Sequence, residues 1–220
     1  MKIKWLGHSA FLITSESGTR LVTDPYQPGC YDGGINYDSF DQPADVVTIS
    51  HEHPDHNNPK MVSGHPIIIK GAGMYIASGI EFLGVQVAHD EEGGLKRGKC
   101  TAFTFTIDKI KLCHLGDIGH VLTGDQAVEI GSVDVLFIPA GGHFTIAPDE
   151  AWRVADQLAA KIVIPMHYRT DKIGADFPIS GLEDFLKGKQ SIKRLRTDTI
   201  ELKKQELPME REIIILAHAL

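Results

Sequence analysis

His51-Glu52-His53-Pro54-Asp55-His56 sets two histidines, an aspartate and a third histidine in the pattern H-x-H-x-D-H. It follows directly on Asp45-Val46-Val47-Thr48-Ile49-Ser50, a β-branched run that reads as a buried strand. A strand alternates its side chains with period two, so His51 and His53 leave one face where extended geometry persists and can reach one metal. Asp55 and His56 fall on the tighter turn that Pro54 helps to enforce and can point to a second position. Imidazole and carboxylate donors suit zinc, and serve manganese or iron as well. A solvated His-rich loop would show similar letters; the buried strand ahead of the motif is what argues for a metal site.

A closed structural zinc takes four protein ligands, whereas a catalytic one leaves a position for water, so the further donors matter. Three stand at the ends of predicted strands: His89 after Val85-Gln86-Val87-Ala88, Asp117 in His114-Leu115-Gly116-Asp117, and His167 after Ile162-Val163-Ile164-Pro165-Met166. His114 and His120 compete with His89 for the remaining position. His114, inside an apolar run, reads more readily as a core or supporting histidine. His8 reads equally as a satisfied turn histidine or as a neighbour of the site. Asp24-Pro25 can start a turn.

Outward from the motif, short apolar runs at 3–6, 10–14 and 20–23, broken by Gly7 and Gly18, predict an antiparallel meander. Further strands are expected at 66–70, 85–88, 101–107, 109–113, 133–138 and 161–165. Thr123 with Gln126, and Ser180 with Glu183, fit capping boxes that start helices. Pro148 suits a first helical position, with Ala151, Val154, Ala155, Leu158 and Ala159 at helical spacing behind it. The order predicts a single layered α/β domain over 1–220, sheets inside and helices outside.

The chain has 220 residues, enough to bury a core without staples, and three cysteines at no framework or metal spacing. No signal-peptide core and no span-length apolar stretch are visible, so the expected compartment is the cytoplasm. The net charge of −7 offers no overall basic field for nucleic acid, and a small molecule is the expected partner. No G-x-S-x-G is present to act as a serine nucleophile elbow.

The chain resembles the metallo-β-lactamase superfamily, and within it the compact metal-dependent hydrolases similar to ascorbate-6-phosphate lactonase. The resemblance rests on Trp5-Leu6-Gly7-His8-Ser9-Ala10-Phe11-Leu12-Ile13, Asp24-Pro25, the H-x-H-x-D-H motif, His114-Leu115-Gly116-Asp117, Ile138-Pro139-Ala140-Gly141-Gly142 with Thr145, and Ile164-Pro165-Met166-His167-Tyr168. It runs from the first residues to about Tyr168. It implies an αβ/βα sandwich of two face-to-face β-sheets with helices on the outer faces and the site at one edge. It further implies two divalent ions, zinc first among the candidates, with His51, His53 and His89 on one, Asp55, His56 and His167 on the other, and Asp117 bridging. Asp24 would orient the metal-binding turn by hydrogen bonds.

The expected chemistry is hydrolysis by a metal-bound hydroxide, since a bound cation brings the pKa of water down to about 7. Asp55 is the expected catalytic base, and His143, after a Gly pair, is a second catalytic candidate. The expected substrates are small esters, lactones or phosphodiesters. The alternatives are a metal-binding module without catalysis and a nuclease of the same superfamily.

Overall fold

The computed structural model describes residues 1–220. The chain begins β1 (Lys2–Gly7), β2 (Ala10–Thr14) and β3 (Arg20–Thr23), then the helical turn α1 (Cys30–Gly33), β4 (Gln42–Pro43) and β5 (Val46–Ile49). It continues with β6 (Val62–Ser63), β7 (Ile67–Lys70), β8 (Gly73–Ala77), β9 (Ile80–Ala88), β10 (Lys99–Ile107) and β11 (Ile110–His114). The last third holds α2 (Gly124–Ile130), β12 (Val135–Pro139), α3 (Pro148–Gln157), β13 (Ile162–Met166), α4 (Glu183–Leu186), β14 (Ile192–Arg194), β15 (Thr199–Glu201) and β16 (Glu212–Ile215).

Two large sheets form, with strand orders β15-β1-β2-β3-β5-β7 and β14-β16-β13-β12-β11-β10-β9-β8. The period-two alternation of their strands sorts side chains between two cores. Ile3, Trp5, Phe11, Ile13, Leu21 and Val46 join the large core between the sheets, while Leu6, Ala10, Val22, Val47 and Ile49 turn to the opposite face. Phe11 of β2 meets Phe137 of β12 at 4.4 Å between ring centroids, so the two sheets touch through aromatic contact.

The outer layers differ. On the second sheet α2 packs on β9 and α3 on β12. The outer face of the first sheet is covered by irregular chain instead, with Tyr26, Tyr37, Phe40, Ile173 and Ile179 supplying the apolar cover. That long loop carries Tyr31 to the site described below.

Direction is what makes the fold useful. β1 and β3 both run antiparallel to β2, and β5 runs parallel to β3. In the second sheet β9 and β11 are both antiparallel to β10, and β12 and β13 continue parallel to β11. The strands that end in His8, Asp24, His51, His89, Asp117 and His167 therefore share a direction within each sheet, and their C-terminal ends form one rim.

The strand predictions hold to within a few residues except that β9 starts at Ile80 rather than Val85, and the two-residue strands β4 and β6, with β8, β14, β15 and β16, went unpredicted. Thr123 and Gln126 form the expected reciprocal capping box. Ser180 does not cap: its N–H donates to Gly141 O, which pins the chain there, and α4 starts at Glu183 without a side-chain cap. Ala159 is also off the buried face, because α3 has ended and its φ is +45°.

These two helix starts give a paired expectation. Thr123→Ala should cost about 1 kcal/mol and lower the melting temperature by roughly 2–4 °C for a chain of this size. Ser180→Ala should change it little. Calorimetric melts of both variants check this; equal effects would contradict the difference in capping.

Candidate metal centre

Asp24 ends β3 with φ +37° and is fully buried. Its Oδ1 accepts the Ser50 N–H at 2.8 Å, and its Oδ2 accepts the Ser50 hydroxyl at 2.5 Å and His56 Nδ1–H at 2.8 Å. Because the Ser50 hydroxyl has spent its proton on Asp24, its oxygen accepts from His51 Nδ1–H at 2.9 Å. Both rings are thus held with Nδ1–H towards the Asp24 side, and Nε2 is aimed away from Asp24 and into the cavity. One carboxylate orients two of the motif histidines, one directly and one through a serine.

The donors converge on Asp117. Its Oδ2 lies 3.2 Å from His56 Nε2, 3.2 Å from His167 Nε2, 3.4 Å from His89 Nε2 and 3.8 Å from His51 Nε2. His51, His53 and His89 bring one ligand atom each within 4.8 Å of one another, and so, as a second group, do His8, Asp55, His56 and His167. His51 Nε2 and His53 Nδ1 are 3.1 Å apart. All seven sequence-predicted metal ligands come together.

Close approach of the chain makes this possible. Gly116, at φ +54°, lies so near Ser50 and Cys100 that a Cβ would meet both at 2.6 Å. Gly119 packs on His89 and Asp90 backbone at 2.5 Å from where its Cβ would be, bringing the Asp117 turn against the end of β9.

The competing histidines are engaged elsewhere. His114 donates from Nε2 to Ser9 O at 2.9 Å and accepts from Gly116 N–H at Nδ1. His120 accepts Ala88 N–H at Nε2 and donates from Nδ1 to Val121 O. His143 is exposed and lines a separate groove with Gly141 and Thr145, so it is not brought to the cluster; Phe144 beside it lines the cavity instead. A Gly pair before a histidine signals a close turn, but not which of the next two side chains faces inward.

Four participants escaped the motif reading or were left undecided by it. His8, fully buried at φ +49°, donates from Nε2 to Asp55 Oδ2 at 3.0 Å. Tyr31, in the left-handed Tyr31-Asp32 turn, donates its hydroxyl to Asp55 Oδ1 at 3.1 Å. Ser50 is the relay, and Arg97 stands in the cavity wall. His8 had a signal in the Trp5-Leu6-Gly7-His8 phrase, which left it open between turn and site, and Ser50 had one in its place between a buried strand and the motif.

The cavity above the cluster is about 430 Å³. His53, Asp55, His89, Asp117 and His167 form its floor; Tyr31, Phe144, Phe177 and Arg97 form its walls.

Electrostatics test whether cations fit. Burial opposes charge on Asp117, but His167 and His56 hold its carboxyl well below the usual range, and His56 and His8 do the same for Asp55. Burial likewise opposes a proton on His56, yet Asp117 and Asp55 outweigh it and hold its pKa well above 6.5. His56 thereby supplies positive charge that the buried carboxylates demand. His56 Nε2 and Asp117 Oδ1, both buried, have no hydrogen-bond partner. Converging imidazole nitrogens, orphaned polar atoms and surplus buried negative charge all match a site for divalent ions.

The family model for the beta-lactamase superfamily domain matches residues 2–167. The chain belongs to the metallo-β-lactamase superfamily. A metal-dependent hydrolase of Methanobrevibacter smithii is 31% identical over 77% of this chain and 82% of that protein. A crystal structure from Thermotoga maritima, named as a Zn-dependent hydrolase of the superfamily, is 40% identical with TM-score 0.78 over 98% of this chain and 97% of that one. The short form of human tRNase Z matches with TM-score 0.56 over 77% of this chain and 93% of that one, and at 14% identity it shares the fold alone. This superfamily member is a metal-dependent hydrolase. None of its helices is long and apolar enough to cross a membrane.

Ser50→Ala breaks the relay and should weaken zinc binding about 10-fold or more while leaving circular dichroism unchanged; titration calorimetry reads the affinity. A second expectation concerns the metal-free protein. Burial, with nearby histidines, pushes His8 down to about 4 and His51 to about 3, from 6.5. Between those values and 6.5 these two histidines bind more protons in the unfolded chain than in the folded one, so their contribution to stability is full above 6.5 and falls as pH drops towards 4. Chelator-treated protein should melt progressively lower across that window, and His8→Asn should flatten the slope.

Proposed function

We propose that the protein hydrolyses a small-molecule ester, lactone or phosphodiester with two divalent ions, zinc foremost, held by the seven-residue cluster. The observation that carries this reading is the position of Asp117 Oδ2, within 4 Å of Nε2 atoms from both donor groups. In this reading His51, His53 and His89 would hold one ion, Asp55, His56 and His167 the other, and Asp117 would bridge them. Such ions, when bound, would polarise the scissile carbonyl or phosphoryl group and make hydroxide available at neutral pH.

The chain's own groups do the rest. Asp55 accepts the proton of the attacking water. His8 and Tyr31 fix the Asp55 carboxylate from its two oxygens, at 3.0 and 3.1 Å. Burial and the neighbouring Asp55 charge push the Tyr31 hydroxyl above its ordinary value, so Tyr31 stays protonated and remains a donor at the cavity wall. Phe144 and Phe177, 5.3 Å apart, shield the floor from bulk water. A cavity of about 430 Å³ suits a small substrate.

Purification without chelator and elemental analysis should find two ions per chain. Asp117→Ala should lose at least one ion; a full complement in that variant would remove Asp117 from the bridging role. A panel of lactones, phosphodiesters and thioesters with zinc or manganese should show turnover, reduced about 10²- to 10⁴-fold in Asp55→Asn. Silence on the whole panel at full metal occupancy would favour a metal-binding module instead.

A further inference from the structure

Arg97 is a cavity-wall cation with no ion-pair partner, while the acids beside it in the loop, Asp90, Glu91 and Glu92, are engaged by other groups. It lies in the loop between β9 and β10, where buried Asp90 accepts four backbone N–H groups: Glu92 and Gly94 on Oδ1, Lys96 and Arg97 on Oδ2, at 2.7–2.9 Å. This knot spends the Asp90 carboxylate on backbone and fixes the main chain at Arg97. Lys96 takes both Glu91 and Glu92, at 2.7 and 2.8 Å, and Lys70 takes Glu52 at 3.1 Å. Arg97 is left half-buried with no ion pair and no side-chain hydrogen bond, its guanidinium 5.8 Å from the centre of the Phe144 ring.

A half-buried guanidinium with no protein partner keeps its donors free for solvent or for a ligand. A guanidinium offers a planar fork of donors that matches a carboxylate or a phosphate bidentately. Phe144 holds the fork from one face by cation–π attraction and leaves its N–H edge free. Phe144 also belongs to the aromatic series Tyr31, Phe177, Phe144, with centroid spacings of 5.7 and 5.3 Å. The wall therefore joins one unpaired cation to an apolar surface, above a floor built for hydrolysis.

We propose that Arg97 receives a carboxylate or phosphate group on the substrate, whose apolar portion lies against Tyr31, Phe144 and Phe177. This rests on the hydrolase reading above and narrows it to substrates that carry an anionic group. The loop that presents Arg97 is the specificity element: the Asp90 knot sets the distance between the anion and the hydrolytic floor.

Binding of benzoate, phenylphosphonate and benzyl alcohol, measured by titration calorimetry on metal-free and zinc-loaded protein, tests it. In Arg97→Gln, affinity for at least one of the two anions should fall about tenfold or more, with an intermediate loss in Arg97→Lys and no change for benzyl alcohol. Loss of benzoate alone assigns a carboxylate, and loss of phenylphosphonate alone assigns a phosphate. Wild-type affinity for both anions in Arg97→Gln, or an equal loss of benzyl alcohol, overturns the proposal. Zinc stoichiometry, expected to be unchanged in Arg97→Gln, keeps the two readings apart. Arg97-dependent anion binding in the metal-free protein stands whether or not the hydrolysis panel responds.

Discussion

The interaction on which the site depends is the fully buried Asp24 carboxylate, shared between Ser50 and His56. Its charge is sustained against desolvation because His114, His56 and His51 surround it, holding its carboxyl below the usual range. Without that charge, neither His56 nor His51 would have a reason to turn Nδ1–H to that side, and their Nε2 atoms would not be directed at Asp117. The order of causes runs from a residue that need touch no metal to those that would. A carboxylate deep in the fold sets the tautomers, and the tautomers set what the cavity can bind.

Backbone strain marks the same rim. His8, Asp24 and His167, each just past the end of a strand, have φ of +49°, +37° and +50°, a region that side-chain-bearing residues rarely adopt. Each such residue costs on the order of 1 kcal/mol or more. The strain persists because the flanking strands are over-determined: β1 and β3 are tied to β2, and β13 lies between β12 and β16. The turn it creates brings the side chain back over the sheet edge, where an extended exit would carry it out to solvent. Rigid strands thus hold four imidazole nitrogens 3.2–3.8 Å from Asp117 Oδ2, a placement that loops alone would not keep.

The legible part of this molecule was the part written in local chemistry. The H-x-H-x-D-H motif, the strand ends before His89, Asp117 and His167, and the Thr123 cap each depend on residues close in sequence. What escaped depends on distance. β8 lies at the sheet edge with Met74 and Ile76 exposed, so it lacks the half-buried alternation by which a strand announces itself. β16 is an Ile213-Ile214-Ile215 run paired parallel to β13 and β14, and a short apolar run alone does not declare its partners. Tyr31 reaches Asp55 only because two left-handed residues reverse the loop. His143 carried the right chemistry, but the turn at Gly142, φ +61°, leaves it outside the cavity and puts Phe144 in the wall.

Charge links the site to the stability of the whole chain. Asp24, Asp55 and Asp117 are all buried and held ionised, and in the chain by itself the proton on His56 is what offsets them. A divalent ion bound at His56 Nε2 must displace that proton, so ion binding and proton release are one equilibrium, and affinity rises with pH until the imidazole is free. The unfolded chain has no such convergence of donors, and an ion that binds only the folded state stabilises it by mass action. Three buried carboxylates face one protonated His56, a surplus of negative charge, and Asp117 Oδ1 has no hydrogen-bond partner. Cations bound there would balance that surplus, so the arrangement that the proposed chemistry requires is also the one that ion binding would hold most firmly.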